Sequence, residues 1–149
     1  MGDYLIITVY VDGLCEPVNP GGVATWGFCV YEDGRRLFQK WGVASEGEGI
    51  SNNLAEYSAL CEALKELLKL GWQNRQITVR SDSKPLVNQM SGKWECRGGF
   101  YAEKYREAVN LASKFPSVFF EWIPREQNEE ADMLSHKAYV EYCGKSYKA

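Results

Sequence analysis

Histidine and paired cysteine are what this chain most lacks. Its 149 residues hold one histidine, His136, and five cysteines at 15, 29, 61, 96 and 143, with no C-x-x-C pair. That pattern argues against a zinc site. An odd, scattered set of thiols fits a reducing cytoplasm, although one disulfide is compatible with it. Long apolar runs are also missing: none reaches the roughly 18 residues of a membrane span. The start, MGDYLIITVY, passes straight into a strand pattern without a basic segment, so no secretory signal is expected. Positive charge is not in excess. Lys and Arg number 17 against 20 Asp and Glu, for a net charge of −3 and a pI near 5.3. This counts against a passive nucleic-acid binder, whose affinity rests on clustered cations. It does not count against an enzyme that holds phosphates through metal ions.

What is present suits one domain with a real core. Apolar residues make up 45% and charged residues 25%, ordinary globular values, and the 13% aromatic share excludes a disordered chain. Residues 4–12, 23–33 and 36–44 read as three strands of an antiparallel meander. From Leu54 the period becomes helical, with Leu54, Tyr57, Leu60, Cys61, Leu64, Leu67 and Leu68 on one face and Gly71 as the stop. Residues 76–82 read as a fourth strand. KPLVNQM reads as a short helix opened by Pro85, and 100–114 as a further helix facing inward through Tyr101, Tyr105, Val109 and Ala112. Residues 117–124 form a fifth strand. A last helix, 127–142, turns Ala131, Leu134, Ala138 and Tyr142 inward. The order predicts an α/β fold with one five-stranded mixed sheet, antiparallel in its first three strands and parallel in the last two. In such sheets, ligands bind beyond the carboxyl ends of the strands.

Four acids sit at positions that raise a question. Asp12, in YVDGLCEPVNPGG, and Asp82, in VRSDSK, each end a strand. An Asx turn explains the first and an N-cap the second equally well. Glu56 follows Asn53 by three residues, as half of a capping box would. Asp132 borders the inward stripe of the last helix and reads as a partly buried salt-bridge acid, whereas Glu129 and Glu130 suit the helix dipole in its first turn. Taken together, the four have another reading. Side-by-side strand ends, a helix start and a helix flank can bring them into one pocket. There they repel one another unless cations sit between them. Oxygen ligands without His or Cys call for Mg²⁺ or Mn²⁺. Two such ions make an apparatus for in-line phosphodiester hydrolysis.

The motifs YVDGLCEPVNPGG, SNNLAEYSAL, VRSDSKPLVNQM and WIPREQNEEADMLS occur together and in this order, covering about residues 4–140. In this the chain resembles type 1 ribonuclease H, the endonucleases that cut the RNA strand of RNA/DNA hybrids. The resemblance implies a single ribonuclease H domain over residues 1–149, acting as a monomer on a hybrid duplex, away from membranes and in the cytoplasm. It implies two Mg²⁺ per site, with Mn²⁺ as a substitute, held by Asp12, Glu56, Asp82 and Asp132. Asn19 and Ser51 then match a DNA-phosphate pocket. Cys15, Asn52 and Asn53 match backbone and minor-groove contacts, and Asn128 a residue that arranges the attacking water or a metal.

Three departures stand out. Relatives often carry a catalytic histidine in the loop before the last acid. Here Arg125 occupies that loop, as in the compact archaeal-type branch, and either a catalytic charge or a structural ion pair accounts for it. His136, four residues after Asp132, does not match that histidine and is read as structural. The basic, tryptophan-rich protrusion of some relatives is absent. SGKWECRGGFYAEKYR is short, leaving Lys93, Trp94 and Arg97 as candidate DNA-strand contacts. Lys84 stands where relatives often have Gln, and is expected to alter groove contacts.

Overall fold

The computed structural model describes residues 6–99 and 101–147. The proposed strand residues 4 and 5, and helix residue 100, lie outside it. Five strands, β1 (Ile7–Glu16), β2 (Val23–Glu32), β3 (Arg35–Glu46), β4 (Ile77–Ser81) and β5 (Val118–Trp122), form one sheet in the order β3-β2-β1-β4-β5. The first three pair antiparallel, and β1–β4 and β4–β5 pair parallel, as the sequence predicts. Four helices flank the sheet: α1 (Asn52–Lys69), α2 (Lys84–Met90), α3 (Ala102–Ala112) and α4 (Glu129–Tyr147). α1 lies on β1 and β2 with α3 beside it, and α4 packs on β2, β1 and β3. Among the described residues, no helix is long and apolar enough to cross a membrane.

Alternation along β1 assigns the two faces. Ile7, Val9 and Val11 enter the core cluster with Tyr57, Leu60, Leu64 and Leu67 of α1. α1 buries more than its leucine stripe, because Ala55, Ala59 and Ala63 are also sealed where the helix meets the sheet and α3. α3 differs from its sequence reading. It buries Ala102, Ala108 and Leu111, and Val109 turns outward. Small side chains allow the close approach to α1, and Tyr101 and Tyr105 pack on Tyr57 at 5.6 and 5.8 Å between ring centres. The Tyr57 hydroxyl donates to Gln89 Oε1 (2.6 Å), and Gln89 Nε2 donates to the Tyr101 hydroxyl (3.0 Å), so a satisfied polar link joins α1, α2 and α3.

β1 does not end at Asp12. β4 pairs with it only through Tyr10↔Arg80, whereas β2 continues to pair through Glu16↔Val23. Asp12 therefore sits within an antiparallel ladder, at the point where the parallel one has just stopped. Its partner across the ladder is Gly27. A Cβ built on Gly27 would lie 2.6 Å from Leu134 Cβ and 2.7 Å from the Ser135 backbone nitrogen, so the missing side chain is what lets α4 rest on β2. We expect Gly27→Ala to lower the unfolding free energy by about 2–3 kcal/mol in urea melts, through displacement of α4. An unchanged midpoint contradicts the close-approach argument.

Candidate active site

Two serines, and not the acids, cap the helices next to the site. Ser51 caps α1, its hydroxyl accepting from Leu54 N–H at 3.4 Å, and Ser83 caps α2, accepting from Leu86 N–H at 3.3 Å. Neither the Asn53–Glu56 capping box nor an Asp82 cap forms, and Asn52 and Asn53 are left as the first two helical residues. Asp82 and Glu56 are thereby released from the local roles that explain such residues elsewhere.

The close approach of β1 to α1 follows from Gly13. A Cβ there would fall 2.3 Å from the Ala55 carbonyl carbon and 2.3 Å from the Glu56 nitrogen. The strand backbone thus rests on the helix backbone at the residue that bears the acid. Sequence reading attended to the acids and passed over Gly13 and Gly27, although glycine inside a strand pattern is a signal of close backbone approach.

Asn128 joins the two strand ends. Its side chain is buried, with Nδ2 donating to Val11 O at 2.9 Å and to Asp82 Oδ1 at 3.3 Å. The Val11 carbonyl lies just past the end of the β1–β4 ladder, so an amide takes over where the strand partner stops. Asn128 also accepts the Asp132 N–H at 3.1 Å through its backbone oxygen, which ties α4 to the same point. Its Oδ1 is buried with no hydrogen-bond partner.

Asp12 is 6% exposed. Burial, and the charges of Asp82, Glu56 and Asp132 in that order, push its carboxyl up to about 9, against one opposing hydrogen bond from Gly13 N–H at 2.9 Å. Glu56 is pushed up to about 7, chiefly by burial; a hydrogen bond from Ser83 and the charge of Arg125 oppose this, and Asp82 adds to it. The fold therefore brings Asp82, Glu56 and Asp132 within electrostatic range of Asp12, and Asp82 within range of Glu56. Among the described residues, no three His, Cys, Asp or Glu side chains close on a common point as a finished metal cage.

Around this cluster the predicted residues divide. Arg125 follows β5 in a 3₁₀ turn (Arg125–Gln127), its Nε 3.7 Å from Asp82 Oδ2 and its side chain 83% exposed. His136 Nε2 lies 3.6 Å from Asp132 Oδ1 and is half exposed. Asn19 Oδ1 accepts the Asn52 N–H at 3.0 Å, which brings the Gly/Pro loop to the start of α1 beside Ser51. Asn52 Nδ2 reaches Glu56 Oε1 at 3.4 Å. Cys15 is buried within the β1–β2 ladder, its thiol directed at the Val18 and Ile50 carbonyls at 3.2 and 3.6 Å. All five cysteines are unpaired. Lys84 opens α2 with its Nζ over the Trp122 ring, and Trp94 stands half exposed on the loop after α2. The sequence reading also missed Ser83, which caps α2 beside Asp82 and opposes the upward displacement of the Glu56 carboxyl. A groove of about 430 Å³ between β3, α1 and α3 includes none of the four acids.

A family model described as reverse transcriptase-like matches residues 18–138. A bifunctional protein of Mycobacterium tuberculosis is 40% identical over 88 residues, 59% of this chain and 24% of that protein, so the chain spans about a quarter of this relative. Ribonuclease HI of Halobacterium salinarum is 31% identical over 136 residues, covering 89% of this chain and 63% of that enzyme. LC11-RNase H1, solved in complex with an RNA/DNA hybrid, superposes with a TM-score of 0.82 to 0.83 across its structures and 30% identity, over 92% of this chain and 97 to 99% of that one.

The two displaced carboxyls fix the sign of a pH effect. Between the ordinary value of 3.8 and about 9, folded Asp12 keeps a proton that the unfolded chain has released, and Glu56 acts in the same sense up to about 7. Stability is therefore lost as pH rises through that window. In EDTA we expect a lower Tm at about pH 8 than at about pH 5, and Asp12→Asn should remove most of that slope and raise Tm by a few degrees at the higher pH. A slope that survives the substitution contradicts the placement of Asp12.

Proposed function

The chain belongs to the reverse transcriptase-like family, and from that premise we propose that it is a ribonuclease H, a metal-dependent endonuclease hydrolysing the RNA strand of RNA/DNA hybrids. The products are then 3′-OH and 5′-phosphate ends. One observation carries this reading: Asp12 is buried against three other acids, an arrangement tolerable at neutral pH only with a proton or a cation among them. The hybrid seen on LC11-RNase H1, 30% identical to this chain, supports the substrate class.

The donor set fits a hard divalent ion. It offers carboxylate oxygens, no thiolate, and the unpartnered Asn128 Oδ1 beside them. Asp12, Glu56, Asp82 and Asp132 would hold two Mg²⁺, with Mn²⁺ as a substitute. Such ions, when bound, supply a water acidic enough to attack and a charge for the leaving oxygen.

The chain's own residues do the rest. Asn128 holds the β1 and β4 ends together and so fixes the spacing of Asp12 and Asp82. Arg125, exposed beside Asp82, brings a permanent positive charge to the phosphate under attack. Asn19, bonded to the Asn52 N–H, and Ser51, the cap of α1, form a phosphate pocket at the positive end of that helix. The amides of Asn52 and Asn53 can donate and accept, as reading of 2′-hydroxyls and groove edges requires. The Cys15 backbone, Lys84 and Trp94 extend the contact along the duplex. Without a basic protrusion, binding rests on few cations, so it is weak and its salt dependence is shallow.

A labelled hybrid should be cut in Mg²⁺ and left intact in EDTA, with matched double-stranded RNA and DNA uncut. Asp12→Asn is expected to lose turnover by more than about a thousandfold while still binding hybrid. Full activity in that variant rejects the metal assignment. Arg125→Ala should lower kcat about tenfold with KM little changed, and an unaltered kcat removes its role.

A further inference from the structure

β5 ends in a tryptophan that the core does not need. Val118, Phe120 and Trp122 share one face of the strand by alternation. The first two pack against the buried cluster, whereas Trp122 stands beyond it and is 43% exposed. Two polar contacts engage it. The indole Nε1–H donates to the Asp82 backbone oxygen at 3.2 Å, and Lys84 Nζ lies 5.0 Å from the centre of its ring. Ladder pairing of Ser81 with Trp122, and the Ile123 N–H donated to Ser81 O at 2.9 Å, hold the indole in register with the turn that carries Asp82.

Lys84 needs such a holder. It is the first residue of α2, where the helix dipole disfavours a cation, and the first turn contains no acid. The Asp82 carboxylate oxygens face Asn128 and Arg125. The electron-rich face of the indole is what receives the ammonium. A lysine seated there has already lost much of its stem freedom, so less is lost when it meets an anion.

We propose that Trp122 is a positioning residue with two separable actions. Its ring face presets Lys84 toward a phosphate of the duplex passing the acids, and its N–H steadies the backbone of Asp82. The proposal rests on the hybrid-nuclease reading above. The two actions have different kinetic signatures: presetting Lys84 governs KM and its salt dependence, and steadying Asp82 governs kcat.

The experiment measures steady-state cleavage of a labelled hybrid across a salt series for the parent, Trp122→Leu, Trp122→Phe, Lys84→Met and the Leu/Met double variant, with melting curves to verify folding. We expect Trp122→Leu and Lys84→Met each to raise KM by about fivefold and to flatten its salt dependence by about one ion. The double variant should be no worse in KM than Lys84→Met alone. Trp122→Phe retains a ring face and should recover most of the KM and salt slope, while sharing the lowered kcat of Trp122→Leu because both lack the N–H. A Trp122→Leu enzyme with the parent's salt slope, or a Trp122→Phe enzyme indistinguishable from it in KM, overturns the proposal alone. A parent that does not cut hybrid overturns the hybrid-nuclease reading and this proposal with it.

Discussion

Negative charge at Asp12 meets resistance from every side. Burial removes water from the carboxylate, and three further acids add repulsion, against which the chain sets one backbone N–H. A fold shaped only by stability would not retain this arrangement, because an apolar residue in an antiparallel ladder costs nothing comparable. The cluster has the character of strain kept at a functional site, relieved when a proton or a cation arrives.

Backbone geometry, more than the acids, keeps the cluster together. Gly13 lets α1 touch β1 on one face, and its near neighbour across the ladder, Gly27, lets α4 touch β2 on the other. These two approaches bring Glu56 and Asp132 toward a strand that already bears Asp12. Asn128 then closes the space where β4 stops, holding Val11 and Asp82 through one amide. Because core packing on both faces opposes any separation, the repulsion cannot relax by moving elements apart. It is confined to titration and ligand binding.

Much of this was legible in the residues. The five strands, their mixed pairing and four helices follow from periodicity and punctuation, and the four acids stand out because each occupies the end or flank of an element. Local competition was harder to read. Asn53 and Asp82 are sound caps by propensity, yet Ser51 and Ser83 do the capping. The end of β1 was misplaced because a strand can lose one partner and keep another, and period-2 alternation does not distinguish them. Val109 was assigned inward on α3, where alanines and Leu111 make the contact instead. Trp122 gave no strong local signal, and at Gly13 and Gly27 the signal of a close approach did not say what approaches. Their significance lies in atoms brought near through space, such as the Leu134 side chain more than a hundred positions after Gly27.

The side chain at position 125 limits the chemistry available to this site. An arginine remains charged across the working pH range and cannot accept a proton, so it can stabilise a phosphate but cannot serve as a base. Its side chain is largely exposed and 3.7 Å from Asp82, which allows it to swing between the carboxylate and an incoming anion without breaking a buried contact. His136, the one histidine, lies one helical turn beyond Asp132 with its Nε2 3.6 Å from Asp132 Oδ1. Arg125 therefore contributes charge alone, and the groups of this site that can take up a proton near neutral pH are the displaced carboxyls of Asp12 and Glu56.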